Sequence, residues 1–460
     1  MRHLRRLGRA SLVPLALLVL PPLASLMPIG GARGASLTTL YKFCHGVNCP
    51  DGVLPVAGLL IDKRGDLLGT TPDLGSGFGT VFELIPNATK TAYSEVTLHR
   101  FCLPKVTCPA MLSDGATPAA GLSIGPGGLL FGTTLDGGDN LGGSVFIMEP
   151  LTNGKFCCET VEYSFCAFGG TACTDGIRPA AGVIFDDAGN FYTTTQQAGK
   201  FGGGTVFEHL LRGPGPLNQV LYDFCSLPNC ADGKTPVAGL VRDRAGNFYG
   251  TTMAGGANLD AGTVFKLTPH AHQLPTETVI HNFCSLPGCA DGALPDAGLI
   301  LDASGNLYGT TDSGGANDSG TVFELVPNKG GTAYTQKVLY SFCSQTGCMD
   351  GEQPVAGLVM DAAGNLFGTT ALGGNPAVNG GAGFGTVFEL VAHKRGTTTE
   401  YTEEVLYRFC SQGKCSDGAQ PQAGLVIDQD GKLYGTTRRG GITGAGLTVQ
   451  GGGTVFRLTP

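Results

Sequence analysis

Seven copies of one sequence unit constrain this chain more than any other feature. The phenylalanine of a VLYxF-like segment recurs at Phe43, Phe101, Phe165, Phe224, Phe283, Phe342 and Phe409, at steps of 58, 64, 59, 59, 59 and 67 residues. An Asp-Gly pair follows each of them, and a closing GTVF-like segment ends at Phe82, Phe146, Phe207, Phe265, Phe323, Phe388 and Phe456. A repeat of this length is one supersecondary unit that buries its apolar face against its neighbours.

Each unit carries four strand candidates rich in β-branched and aromatic residues, as in Val338–Phe342, Ala356–Asp361, Asn365–Thr370 and Thr386–Leu390. Between the second and third lies DxxGN, whose glycine supplies the positive φ of a tight hairpin. The 75 glycines among 460 residues disfavour helix interiors, and 42% hydrophobic with 14% charged residues excludes disorder. Four antiparallel strands per unit, seven times over, predict an all-β, seven-bladed β-propeller of four-stranded blades. The chain opens on a VLYxF-type strand at Leu37–Phe43 and closes on GTVFRLTP. The N-terminal strand is therefore expected to complete the last blade and close the ring, leaving no open sheet edge. In this order the cysteine loops and the variable Gly-rich loops share one face, where binding is expected. The longest of the latter are Gly373–Phe384 and Gly440–Gly452.

The N-terminus has a separate logic. Arg2, Arg5, Arg6 and Arg9 precede the apolar run Ser11–Leu20, then prolines and small residues up to Ala35. That order is a secretory signal. The expected division is a signal peptide over 1–35 and the propeller over 36–460, with no transmembrane segment in the mature chain. Without the first 35 residues, 24 basic residues face 37 acidic ones, which argues against nucleic-acid binding. The repeats run to Pro460, so a C-terminal anchor is not expected.

Sixteen cysteines form seven local pairs plus Cys157 and Cys158. The pairs are Cys44/Cys49, Cys102/Cys108, Cys166/Cys173, Cys225/Cys230, Cys284/Cys289, Cys343/Cys348 and Cys410/Cys415. One pair per repeat in an exported chain reads as one disulfide per blade junction. Zinc is disfavoured, because tetrahedral sites draw on two facing pairs. Cys157 and Cys158 are open between a vicinal disulfide, pairing with another chain, and free thiols.

The repeated aspartates Asp51, Asp114, Asp175, Asp232, Asp291, Asp350 and Asp417 precede the innermost strands. At the channel mouth such a ring could hold Ca²⁺ or a polar ligand. The competing and favoured reading is that each caps its own turn. No other cofactor or metal is expected. Gly121-Leu122-Ser123-Ile124-Gly125 matches GxSxG but falls inside a strand, where a nucleophile elbow cannot form. His99 and His281 take the tyrosine slot of the repeat. His270 and His272 have no further ligand nearby. No catalytic constellation emerges.

The unit, complete at Asp291–Gly292, Pro295, Ala297–Leu299, Asp302, Gly305–Thr311 and Gly320–Phe323, resembles the GloVer tandem repeat of "choice-of-anchor" exported bacterial proteins over residues 37–460. The resemblance implies a surface or secreted repeat protein. The expectation is an exported, periplasmic or extracellular, monomeric and non-enzymatic module that binds a protein or glycan at its loop rim. The alternative is an extracellular hydrolase or lyase with its site at the channel mouth.

Overall fold

The structure, a computed structural model, describes residues 34–46, 48–73, 78–101, 113–211, 217–396, 398–441 and 451–460. Cys102 and Cys108 and the segment 1–33 lie outside them. Among the described residues the strands form seven four-stranded antiparallel sheets. In blade one these strands are Leu60–Ile61, Leu67–Thr71, Thr80–Pro86 and Tyr93–Arg100, hydrogen-bonded in that order from the two-residue inner strand outward. The chain is a seven-bladed β-propeller.

The seventh blade takes its outer strand from the other end of the chain. Ser36–Lys42 pairs antiparallel with Thr454–Thr459, from Ser36 opposite Thr459 to Lys42 opposite Thr454. The ring thus closes by hydrogen bonds and side-chain packing.

The second strand of every blade is wholly buried, and its GTT ending explains how blades are held together. The first threonine reaches sideways. Thr70, Thr133, Thr194, Thr251, Thr310 and Thr369 donate to the backbone carbonyl of Ala120, Ala181, Ala238, Ala297, Ala356 and Ala423 on the next blade, at 3.0–3.2 Å. Thr436 donates to Ala57 at 3.3 Å and completes the circle. The second threonine stays within its blade, pairing with the hydroxyl that opens the third strand, as in Thr252 with Thr263 at 2.8 Å. Buried hydroxyls are costly unless paired, and here every one of these has a partner.

The apolar core uses the same junctions. Each VLYxF phenylalanine lies edge-on to the GTVF phenylalanine of the following blade, from Phe43–Phe82 at 5.1 Å to Phe409–Phe456 at 5.1 Å. All of them are completely buried. In six blades a glycine of GTT lies against the GTVF ring: a Cβ on Gly250 would meet the Phe265 ring at 2.6 Å. Repeat three carries Thr193 there, and its hydroxyl donates to Ala181 O at 3.2 Å.

Thr251→Val removes a donor while leaving the Ala297 carbonyl buried. It is expected to destabilise by about 1–3 kcal/mol, read as a lowered melting temperature. Thr251→Ser, which keeps the hydroxyl, should recover most of the loss, and equal melting for both variants would count against the interblade bond.

Candidate functional site

The structure closes Cys44–Cys49, Cys166–Cys173, Cys225–Cys230, Cys284–Cys289, Cys343–Cys348 and Cys410–Cys415, and joins Cys157 to Cys158. Each local bridge closes a loop whose two cysteines both have positive φ, for example 66° and 53° at Cys225 and Cys230. An L-residue pays for that conformation, so something must hold it.

The repeated aspartate does so. Asp232 accepts from Ser226 N and Ser226 Oγ at 2.8 Å each, from Leu227 N at 3.2 Å, and from the Tyr222 hydroxyl at 2.8 Å. Asp350 and Asp417 repeat this set with Tyr340 and Tyr407, Asp175 accepts from Tyr163 and the amides of Ala167 and Phe168, and Asp51 accepts from Tyr41 and the amide of His45. Asp291 keeps the backbone bonds and faces His281 Nε2 at 3.5 Å, while Asp114 faces His99 at 3.4 Å. These carboxylates lie beneath the cysteine loops, against the outer strands. Apart from Asp114, they are buried. The oxygens of the buried six meet loop amides and a tyrosine hydroxyl, or a histidine at Asp291.

The axis itself is lined by backbone at the AGL glycines. A Cβ on Gly58, Gly121, Gly357 or Gly424 would stand 3.3–3.5 Å from the carbonyl oxygen of the same glycine one blade back. Ser123 donates to Val183 O at 2.8 Å from within a two-residue inner strand. The departures from the repeat do not gather at the axis. Gly125 packs under Phe131 and Phe185, Ser144 takes a buried threonine slot, and Cys157 and Cys158 sit on an outer strand.

A second set of acids spans the blade junctions. Glu159, Glu277 and Glu403 occupy one slot of the outer strand, and each has an Oε1 that is buried without a hydrogen-bond partner. Burial, then the neighbouring Asp232, lifts the Glu277 carboxyl to about 8. Burial and Asp350 lift Glu403 to about 8, and burial lifts Glu159 to about 7.

Clefts open between blades on the opposite, hairpin face. One of about 600 Å³ between blades five and six is walled by Asp302, Asp361, Tyr308, Glu324, Lys337 and Tyr401. Its walls bond to one another: the Tyr308 hydroxyl donates to Glu324 at 3.0 Å, and Lys337 to Thr399 O at 2.8 Å. In blade one, Asp62, Asp66 and Glu83 bring carboxylate oxygens within 4.8 Å of one another. Arg64 fills the space between them at 2.9, 2.7 and 2.6 Å. It does there what the asparagine and tyrosine of the other hairpins do, for instance Asn247 and Tyr249 on Asp243 at 2.7 and 3.0 Å.

The loop face carries what reasoning from the repeat missed. Of eleven exposed large apolar side chains among the described residues, six stand there: Leu141, Phe168, Phe201, Leu227, Leu259 and Leu286. They lie on successive, alternating Gly-rich and cysteine loops of blades two to four, and these loops touch. Gly199 N donates to Cys173 O at 3.1 Å, Gly256 N donates to Cys230 O at 2.9 Å, and a Cβ on Gly203 would meet Cys225 Cβ at 2.8 Å. Leu259 is the most exposed at 86%. The tip slot of Phe168, Leu227 and Leu286 becomes Gln345 and Gln412 farther round. That contrast is the one signal the sequence offered. Two pairs of charges on the arc meet locally, Arg178 with Asp136 at 2.8 Å and Lys234 with Asp260 at 3.0 Å.

The model of the Gloeobacter/Verrucomicrobia repeat family matches residues 30–207, 112–288 and 184–449. No curated protein matches the sequence. Among solved structures, the chain is similar to a putative oxidoreductase (glucose dehydrogenase) of Thermus thermophilus, with 13% identity, TM-score 0.43, and 93% of this chain and 100% of that one covered. It is also similar to PorZ, a bacterial surface component of the type-IX secretion system of Porphyromonas gingivalis, with 13% identity, TM-score 0.48, and 88% and 46% covered. A third is the PQQ-bound aldose sugar dehydrogenase of Streptomyces coelicolor, with 12% identity, TM-score 0.41, and 93% and 99% covered.

Because Glu277 and Glu403 titrate near 8 in the folded chain against an ordinary 4.5, folding retains protons that the unfolded chain has released. Their contribution is full below the unfolded value and is lost as pH rises through about 8. The melting temperature should fall between roughly pH 5 and roughly pH 9, and the double variant Glu277→Gln/Glu403→Gln should fall less. Parallel curves would show that these carboxyls ionise freely.

Proposed function

The chain belongs to the Gloeobacter/Verrucomicrobia repeat family, and we propose that it is an exported, non-enzymatic binding module that docks a protein partner through the apolar arc of blades two to four. In this reading residues 1–35 direct export, and the cysteine bridges form in an oxidising compartment. Among the described residues no helix is long and apolar enough to cross a membrane.

The arc carries the proposal. Among the described residues, six large apolar side chains stand on adjoining loops in one part of the ring, where they cost solvation and give the fold nothing in return. Their loops are held in place beforehand: Asp175, Asp232 and Asp291 accept from the backbone of Phe168, Leu227 and Leu286 at 3.1, 3.2 and 3.1 Å. A tip fixed in this way loses little conformational entropy on contact. The surface charges of these loops balance, Asp136, Asp139 and Asp260 against Arg178, Lys200 and Lys234, which suits an apolar partner surface more than a charged polymer.

The test is capture by cross-linking in the native host, comparing the wild type with Leu227→Ser/Leu259→Ser/Leu286→Ser. These exposed positions should leave the melting temperature within about 1 kcal/mol of wild-type stability. Loss of the cross-linked species, with fold and export intact, is the expected result. Undiminished capture by the triple variant would rule out the arc, and a species captured only by hairpin-face cross-linkers would move the site to the other face.

A further inference from the structure

We propose that the Cys157–Cys158 disulfide is a redox-reactive site, opened by a dithiol reductant ahead of the loop disulfides, and that opening it resets the register of the outer strand of blade two. This stands apart from the docking proposal, since the pair lies on an outer strand and not on the loop face.

Three independent features meet at this pair. The first is access: Cys158 is the one exposed cysteine among the described residues. The loop cysteines are partly or fully buried, and their loops are also gripped by a buried aspartate. The second is backbone conformation. Cys158 has φ of 58° inside the strand Phe156–Ser164, a left-handed value that a β-strand excludes.

The third is register. Ile147 lies opposite Thr160, but Glu149 lies opposite Cys157. Two residues, Cys158 and Glu159, therefore face Met148 alone, which makes a bulge. The corresponding stretches of blades one, five and six run without one, as from Glu83–Val96 to Pro86–Tyr93. The adjacent cysteines and this bulge coincide; blade four has a shift of its own two residues nearer its hairpin tip, between Thr268 and His270, without cysteines.

The chemistry is a disulfide exchange. A thiolate of the dithiol attacks the exposed Cys158 sulfur, the Cys157 sulfur leaves as thiolate, and the second thiol of the reductant resolves the mixed disulfide. The protein gains two electrons and two protons, and the reductant leaves as its own disulfide. Cys158 is then free to take extended φ, and the bulge has nothing to keep it.

Because strand side chains alternate, losing the extra residue turns every side chain upstream of it to the other face. Phe156, 9% exposed and packed with Met148 and Phe146, is carried out of the core, and Cys157 turns in. The hairpin Leu151–Lys155 gains a residue. That hairpin touches blade one, where Arg64 Nη1 donates to Asn153 O at 3.4 Å. Reduction would therefore be felt at the junction of blades one and two.

The full-length oxidised protein is treated with limiting dithiothreitol, the freed thiols are alkylated and mapped, and hydrogen exchange is followed in parallel. Cys157 and Cys158 should be alkylated at least ~tenfold faster than Cys225 and Cys230. Amides from Met148 to Glu159 should lose protection while those of blades four to six keep theirs. The double variant Cys157→Ser/Cys158→Ser, without reductant, should show the reduced exchange pattern. Labelling of all pairs at one rate overturns the proposal, as does a variant whose exchange over Met148–Glu159 matches that of the oxidised protein.

Discussion

The hydroxyl of one threonine per blade, donated to an alanine carbonyl of the next, is the contact on which this ring depends. It is buried, directional and repeated from Thr70–Ala120 to Thr436–Ala57. It also sets what else can stand nearby. The alanine and its glycine lie just ahead of the two-residue inner strand, and the glycines approach one another backbone to backbone. A larger residue there would push blades apart and stretch the threonine bond. The phenylalanine pairs lie at the centre of the apolar clusters between blades, but they tolerate sliding more than a hydrogen bond does. Threonine fixes the spacing and phenylalanine fills it.

The loop face inherits its order from the same economy of parts. A buried aspartate satisfies the amides of a six- to eight-residue cysteine loop, the disulfide closes that loop, and the tip residue two positions past the first cysteine is left pointing outward. Among the described loops the framework is nearly the same, while the tip is Phe168, Leu227, Leu286, Gln345 or Gln412. One invariant scaffold thus carries variable contact residues, which is how a repetitive fold acquires a preferred side.

Much of the fold was legible because its determinants are local. Alternation within four short segments, a glycine at each hairpin and a strand without a partner at each end of the chain are enough to derive the blade order and the closure. The aspartates were legible as turn-forming residues. Their place beneath the outer strand was not, since it depends on which way the chain crosses between blades. The arc was hidden for a related reason: Leu227 reads as an ordinary loop leucine until its backbone is seen pinned by Asp232. The clefts of the hairpin face were equally hidden, because Tyr308 and Tyr401 come from different repeats and meet only across a blade junction. At Cys157 the sequence supplied the chemistry and the structure supplied the bulge.

The closing strand has a consequence for the order of events. Ser36 pairs with Thr459, so the first strand to be made finds its partner only when the last one exists. Until then both the first strand and the edge meant for it stay unsatisfied, and contacts spanning almost the whole chain must form late. Closure therefore waits on two strands that local folding cannot bring together, and every other blade can form before it does.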